Sequence, residues 1–181
     1  IDDHMGVVAA GYIPDARMQV DQARVAAQSN RLVYDEITTV ESVARKIADM
    51  AQQFTQYAGV RPFGVSLIIA GASKHGSELF LTDPSGTYLP YDAIAIGSGS
   101  DQVTEYLEKN YNTDLSLEEA CILAAESIYL ISEDKSDFDH IKIATVNMST
   151  HQMKRLTAEE IEKIASKAKN RETKDAKTKS E

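Results

Sequence analysis

Hydrophobic positions change period along the chain. Val7-Val8-Ala9-Ala10-Gly11 is an apolar run closed by glycine, the pattern of a buried strand entering a turn. Ile13, Ala16, Val20, Ala23 and Ala27 then recur at steps of three and four, which predicts an amphipathic helix. Pro14 suits its first turn, because the N–H it lacks would have no intrahelical partner there. Arg17, Asp21, Arg24 and Gln28 share another face, either as a solvated ladder of opposite charges or as a subunit contact. The capping-box spacing of Thr38 and Glu41 predicts a second helix, with Val40, Val43, Ile47, Met50 and Phe54 as its core-facing stripe.

The period then shortens. Residues 64–70, 78–82, 87–89 and 93–96 are strand-like runs, and Asp83-Pro84-Ser85-Gly86 between two of them is turn chemistry, so an antiparallel meander is expected. Two helices follow: one from Ser100 with Val103, Tyr106 and Leu107, and one capped by Ser116 and Glu119 with Ala120, Leu123, Ala124, Ile128 and Ile131. Residues 140–148 read as a strand, and Thr157 with Glu160 as a capping box opening a helix with Ile161, Ile164, Ala165 and Ala168. Paired helices alternating with runs of strands predict a layered α+β domain over 1–170. Residues 171–181 offer almost no apolar surface to offset the entropy of ordering, so a flexible charged C-terminal tail is expected there.

Composition narrows the chemistry. The chain has 181 residues, which suits one core, and a net charge of −9, which disfavours nucleic acid and a basic membrane patch. No apolar stretch approaches the length of a bilayer span. Cys121 is the only cysteine, so an intrachain disulfide is excluded and a cytoplasmic location is expected. The sequence opens at Ile1 in a pattern like a strand already under way, so further residues are expected upstream. The sequon Asn147-Met148-Ser149 is taken as chance.

Candidate reactive groups are sparse. His4, His75, His140 and His151 lack metal-ligand spacing, and Asp2-Asp3-His4 reads as a strand start with exposed polar side chains, so no metal or cofactor is expected. Gly71-Ala72-Ser73-Lys74-His75-Gly76-Ser77 lacks a lysine directly after its last glycine and reads as a hairpin loop rather than a phosphate loop. Ser66 lacks the second glycine of a nucleophile elbow and reads as a strand serine. Gly97-Ser98-Gly99-Ser100-Asp101 joins a strand to a helix, either as an anion or oxyanion site or as a tight turn with a serine cap.

The stretch Gln53-Phe54-Thr55-Gln56-Tyr57-Ala58-Gly59-Val60-Arg61-Pro62-Phe63-Gly64-Val65-Ser66-Leu67 resembles the signature of proteasome α-type subunits, most like the archaeal ones. Ile1-Asp2-Asp3-His4, residues 11–17, Asp83-Pro84-Ser85-Gly86 and residues 95–100 match the same family in the same order. The resemblance implies the N-terminal-nucleophile hydrolase fold, a four-layer αββα sandwich, here without its N-terminal strands. It also implies a subunit that does not cut: β-type relatives cleave peptides with an N-terminal threonine, and Ile1 has no hydroxyl. The turn at 97–101 then resembles the one that lies beside the nucleophile in catalytic relatives, retained as architecture.

By the same resemblance the chain forms a homo-oligomeric ring of seven that caps the β subunits and admits only unfolded polypeptide to protein degradation. Tyr57, Ala58, Gly59 and Val60 match the loop lining the axial pore, with Ala58 where the family usually has a second glycine. Gly11, Tyr12 and Ile13 match part of the cleft that receives the C-terminal tails of regulatory ATPases, which end hydrophobic–tyrosine–any residue. Tyr12 replaces the usual leucine and Pro14 the usual alanine, while the pocket lysine and the gating segment would lie upstream of Ile1. The rival readings are a threonine peptidase of the same fold and a truncated paralogue that only binds other subunits.

Overall fold

The computed structural model describes residues 1–132 and 140–178, with side chains up to Lys169. Length alone predicts one core. The described residues instead form two compact units, Ile1–Ser98 with Val146–Lys154 and Gly99–Thr145 with Arg155–Glu181, each with its own cluster of buried side chains.

The first unit is built on a four-stranded antiparallel sheet, β1 (Met5–Gly11), β2 (Val65–Ser73), β3 (Gly76–Thr82) and β4 (Tyr88–Pro90), neighbours in that order. Register is set by pairs such as Val8↔Ile68, Ile69↔Phe80 and Leu81↔Leu89. Along β2, Val65, Leu67 and Ile69 are buried at alternate positions, as a one-sided sheet requires. Against it lie α1 (Ile13–Tyr34) and α2 (Val40–Gln56). α2 buries Val40, Val43 and Ile47, with Met50 and Phe54 at the edge of the core, so its predicted stripe holds. Burying each large aliphatic side chain contributes about 1.5–3 kcal/mol.

Several expectations need correction. The cap of α2 is Thr39, whose Oγ1 accepts the Ser42 N–H at 3.1 Å, not a Thr38–Glu41 box. Thr38 is buried, and its carbonyl lies 2.8 Å from His4 Nε2. His4 and Asp2 are therefore not exposed polar groups at a strand start: both side chains are buried, and Arg31 Nη2 lies 3.3 Å from Asp2 Oδ2. The buried face of α1 is Asp15, Ala16, Gln19, Ala23 and Ala27, while Ile13 faces solvent. Small alanines let α1 pack closely, and polar Asp15 and Gln19 enter a face that hydrophobicity alone would not assign to them. Arg17, Asp21, Arg24 and Gln28 are all exposed. Residues 93–96 form no strand, because an apolar run records burial without supplying a pairing partner. The 71–77 loop is a tight hairpin with Ser73 opposite Gly76, and Ser66 lies in β2.

The second unit is helical: α3 (Ser100–Asn110), α4 (Leu117–Ile131) and α5 (Ala158–Thr178), with α4 packed on both α3 and α5. Its core joins Cys121, Ile122 and Ala125 of α4 to Ile164 and Ala168 of α5. The predicted face of α4 is thus rotated: Leu123 is buried, but Ala124 and Ile128 are exposed. Both predicted capping boxes form, Ser116 with Glu119 and Thr157 with Glu160. Gly99, at φ +77°, caps α3 without a side-chain bond, so the serine cap expected in the 97–101 turn does not form. Residues 140–148 are not one strand: only Ala144–Asn147 (β5) is, and it pairs with Gln152–Arg155 (β6) as a hairpin. The backbone of α5 continues to Thr178, where a flexible tail from 171 was expected; lysine, glutamate, arginine and alanine there are good helix formers even without apolar surface to bury. Residues 179–181 of that tail lie outside the described residues.

Candidate functional site

Two short segments of the first unit meet where α1 begins and β2 begins. β1 ends at Gly11, whose φ of +122° suits glycine, and a Cβ there would stand 2.3 Å from the Gly64 carbonyl oxygen. The next residue, Tyr12, donates its backbone N–H to that same oxygen at 2.7 Å. Asp15, in the first turn of α1, is buried and accepts three hydrogen bonds. Arg61 Nη1 donates to Oδ2 at 2.7 Å, Arg61 Nη2 to Oδ1 at 2.9 Å, and the Gly64 N–H to Oδ2 at 2.9 Å. The fork is bidentate, the strongest geometry available to this pair. The Arg61 and Gly64 donors hold the Asp15 carboxyl below its ordinary value, against the opposing effect of burial. The guanidinium also lies over the Tyr12 ring, 5.1 Å from its centroid.

This cluster fixes one side of the loop formed by Tyr57, Ala58, Gly59 and Val60. On the other side α2 ends at Gln56, with the Tyr57 N–H bonded to the Gln53 carbonyl. Phe54 of α2 and Phe63 stack at 4.4 Å between ring centroids, closing the base of the loop. Gly59 takes a φ of +84° and allows the reversal. All four loop residues are exposed, and Tyr57 is 62% accessible. Tyr12 and Ile13 are also more than half accessible. The candidate residues Gly11, Tyr12, Ile13 and the 57–60 loop are therefore tied through Arg61 and Gly64.

Sequence reasoning missed Asp15 and Arg61, the residues that make the tie. Asp15 entered only within the 11–17 match, and Arg61 only as one letter of the 53–67 stretch. The signal available was slight: an arginine directly before Pro62, where the backbone is biased toward an extended conformation, and an acid in the 11–17 match. Among the described residues no group of three or more His, Cys, Asp or Glu side chains could hold a metal, and no helix is long and apolar enough to cross a membrane.

A short apolar strand, two helices against an antiparallel sheet and an arginine-braced loop are found together in a chain that belongs to the proteasome subunit family, which it matches over residues 1–146. It is similar to the archaeal proteins called proteasome subunit alpha. The one from Methanoregula boonei is 44% identical over 161 residues, covering 89% of this chain and 67% of that protein. Those from Methanosarcina mazei and Archaeoglobus fulgidus are 41% and 43% identical, covering 97% and 94% of this chain and 72% and 69% of theirs.

Proposed function

We propose that this chain is a non-catalytic α subunit of a 20S proteasome core. It adopts the four-layer αββα sandwich in the assembled particle and forms a ring of seven that caps the β rings in the cytoplasm. Gly11, Tyr12 and Ile13 line the cleft that receives regulatory ATPase tails, and Tyr57, Ala58, Gly59 and Val60 line the axial opening. Specificity then lies in size: a folded protein cannot pass a narrow opening, whereas an extended polypeptide can. The observation that carries this reading is the 57–60 loop, exposed yet pinned by the Phe54–Phe63 stack and the Asp15–Arg61 fork, in a chain whose relatives are named as α subunits. A pore lining needs both properties, exposure to meet substrate and rigidity to keep a fixed diameter. Assembly is further supported by consecutive exposed apolar residues at the end of α1, Leu32, Val33 and Tyr34, a patch that water disfavours.

The test is the mass and shape of the full-length chain expressed with β subunits. Sevenfold rings by native mass spectrometry and electron microscopy are expected, with no peptide hydrolysis by the α chain alone. A stable monomer that never joins β subunits, or peptidase activity of the isolated chain, would overturn the proposal.

A further inference from the structure

We propose that His4 is a proton-operated latch: its imidazolium joins the Asp2 carboxylate to the Thr38 carbonyl and so pins the corner between α1 and α2 to the start of β1. The His4 side chain is 1% exposed, and both ring nitrogens face acceptors. Nε2 lies 2.8 Å from the Thr38 carbonyl oxygen, which can only accept, so this nitrogen carries a hydrogen. Nδ1 lies 3.6 Å from Asp2 Oδ2, on a side chain that is itself 5% exposed. Among the described residues neither of those two atoms has a hydrogen-bond partner. A neutral imidazole has one N–H, already given to Thr38, and turns a lone pair toward a carboxylate in a site closed to water. A second proton removes the conflict: Nδ1 becomes a donor and the two charges attract.

The other charges nearby do not take over this role. Arg31, in the last turn of α1, places Nη2 3.3 Å from the same Asp2 oxygen, but its side chain is 39% exposed and screened by water. Glu78 of β3 gives its carboxylate to the Val40 N–H and the Ser73 hydroxyl, Glu36 pairs with Lys74 in solvent, and Asp3 and Asp35 are exposed. Falling pH therefore supplies the proton and closes the latch, and rising pH opens it. The His4 carbonyl accepts the Ala72 N–H at 3.1 Å, which ties the latch to the sheet. Between the two pinned points, Arg31 and Thr38, lie the exposed apolar residues Leu32, Val33 and Tyr34, so the proton sets how firmly that patch is held. Only the use of the patch in assembly rests on the function proposed above.

The experiment follows hydrogen–deuterium exchange by mass spectrometry in the full-length chain, in a peptide spanning residues 31–39. It compares about pH 6 with about pH 8, with times corrected for the intrinsic pH dependence of exchange. Protection in the parent chain is expected to be about tenfold greater at the lower pH, the scale of one charge-assisted hydrogen bond. His4→Gln, whose amide still reaches the Thr38 carbonyl but does not titrate, is expected to lose that difference. Asp2→Asn, whose amide can donate to a neutral ring, is expected to lose it too. His75→Gln, at the exposed tip of the β2–β3 hairpin, is expected to retain it in full. Should His4→Gln fail to fold, Asp2→Asn decides alone. Equal protection at both pH values in the parent, or a difference that survives in Asp2→Asn, overturns the proposal and leaves the subunit assignment standing.

Discussion

In the sheet-bearing unit the contacts that shape the site cross long stretches of chain: Asp15 and Arg61 are 46 residues apart, and Asp15 and Gly64 are 49 apart. In the helical unit the capping contacts are local, with the Ser116–Glu119 and Thr157–Glu160 boxes each closing over three residues. Its long-range ion pair, Glu118 with Lys167, has both partners largely in solvent. The difference separates two ways of satisfying polar groups. A capping box makes a helix terminus independent of its surroundings. A buried carboxylate that depends on an arginine from another segment makes a loop depend on the whole sheet. Damage to the first unit should therefore spread to the 57–60 loop, whereas damage to the second should stay within its helices.

The largest effect should separate the two cores. Leu67 is completely buried in β2, so Leu67→Ala is expected to cost about 4 kcal/mol, and Ile122→Ala on α4 about 3 kcal/mol. Urea unfolding followed by two probes, a dye on Ala58→Cys for the loop and far-ultraviolet dichroism for the helices, should show Leu67→Ala releasing the loop together with only part of the helix signal, that of α1 and α2, which pack on the same core. If the two probes stay superimposed for both variants, the units do not unfold separately. Next in size is Asp15→Asn, which keeps shape but removes the charge that Arg61 grips; about 1.5 kcal/mol is expected, at the lower end because the guanidinium itself stands in solvent. The pH dependence has a definite sign. The native-state carboxyl titrates below its ordinary value of 3.8, so its contribution is complete at pH above that value and is lost as pH falls through the lower native one. A titration of stability between pH 6 and acid should show this loss in the parent chain and not in Asp15→Asn; equal acid sensitivity would rule Asp15 out as the cause.

What sequence reading could reach follows the same division. Helix starts with both halves of a capping box nearby, at Ser116 and Thr157, were legible because the partners are three residues apart. The α2 stripe and the 83–86 turn were legible for the same reason. Thr38 was mistaken for the cap that Thr39 provides, since two adjacent threonines satisfy the same pattern and only His4 Nε2 on the Thr38 carbonyl separates them. The apolar faces of α1 and α4 were misjudged because Gln19, Asp15, Cys121 and Ser127 are buried by what lies against them, not by their own hydrophobicity. The candidate segments were located through the family stretch, but the Asp15–Arg61 tie was not, because nothing local in either sequence neighbourhood calls for the other.

Two smaller substitutions sharpen the contrast from the side where little should happen. Ser116→Ala removes the cap of α4 and is expected to cost about 1 kcal/mol, with the loss confined to the helical unit and rescued by aspartate at that position. Smallest of all should be Arg24→Gln. Arg24 and Asp21 lie on the same helix as Asp15 and form an ion pair at 3.1 Å, yet both are 59% exposed. Water and salt already screen such a pair, and holding two long side chains together costs entropy, so the expected change is below about 0.5 kcal/mol and vanishes at high salt. The Asp15 effect, by contrast, should persist at the same salt, because its carboxylate is shielded from solvent. A carboxylate–arginine pair on one helix and a pair joining that helix to a loop thus become a direct test of whether burial, rather than pairing, is what gives the loop its anchor. Equal salt sensitivity of the two would remove the distinction.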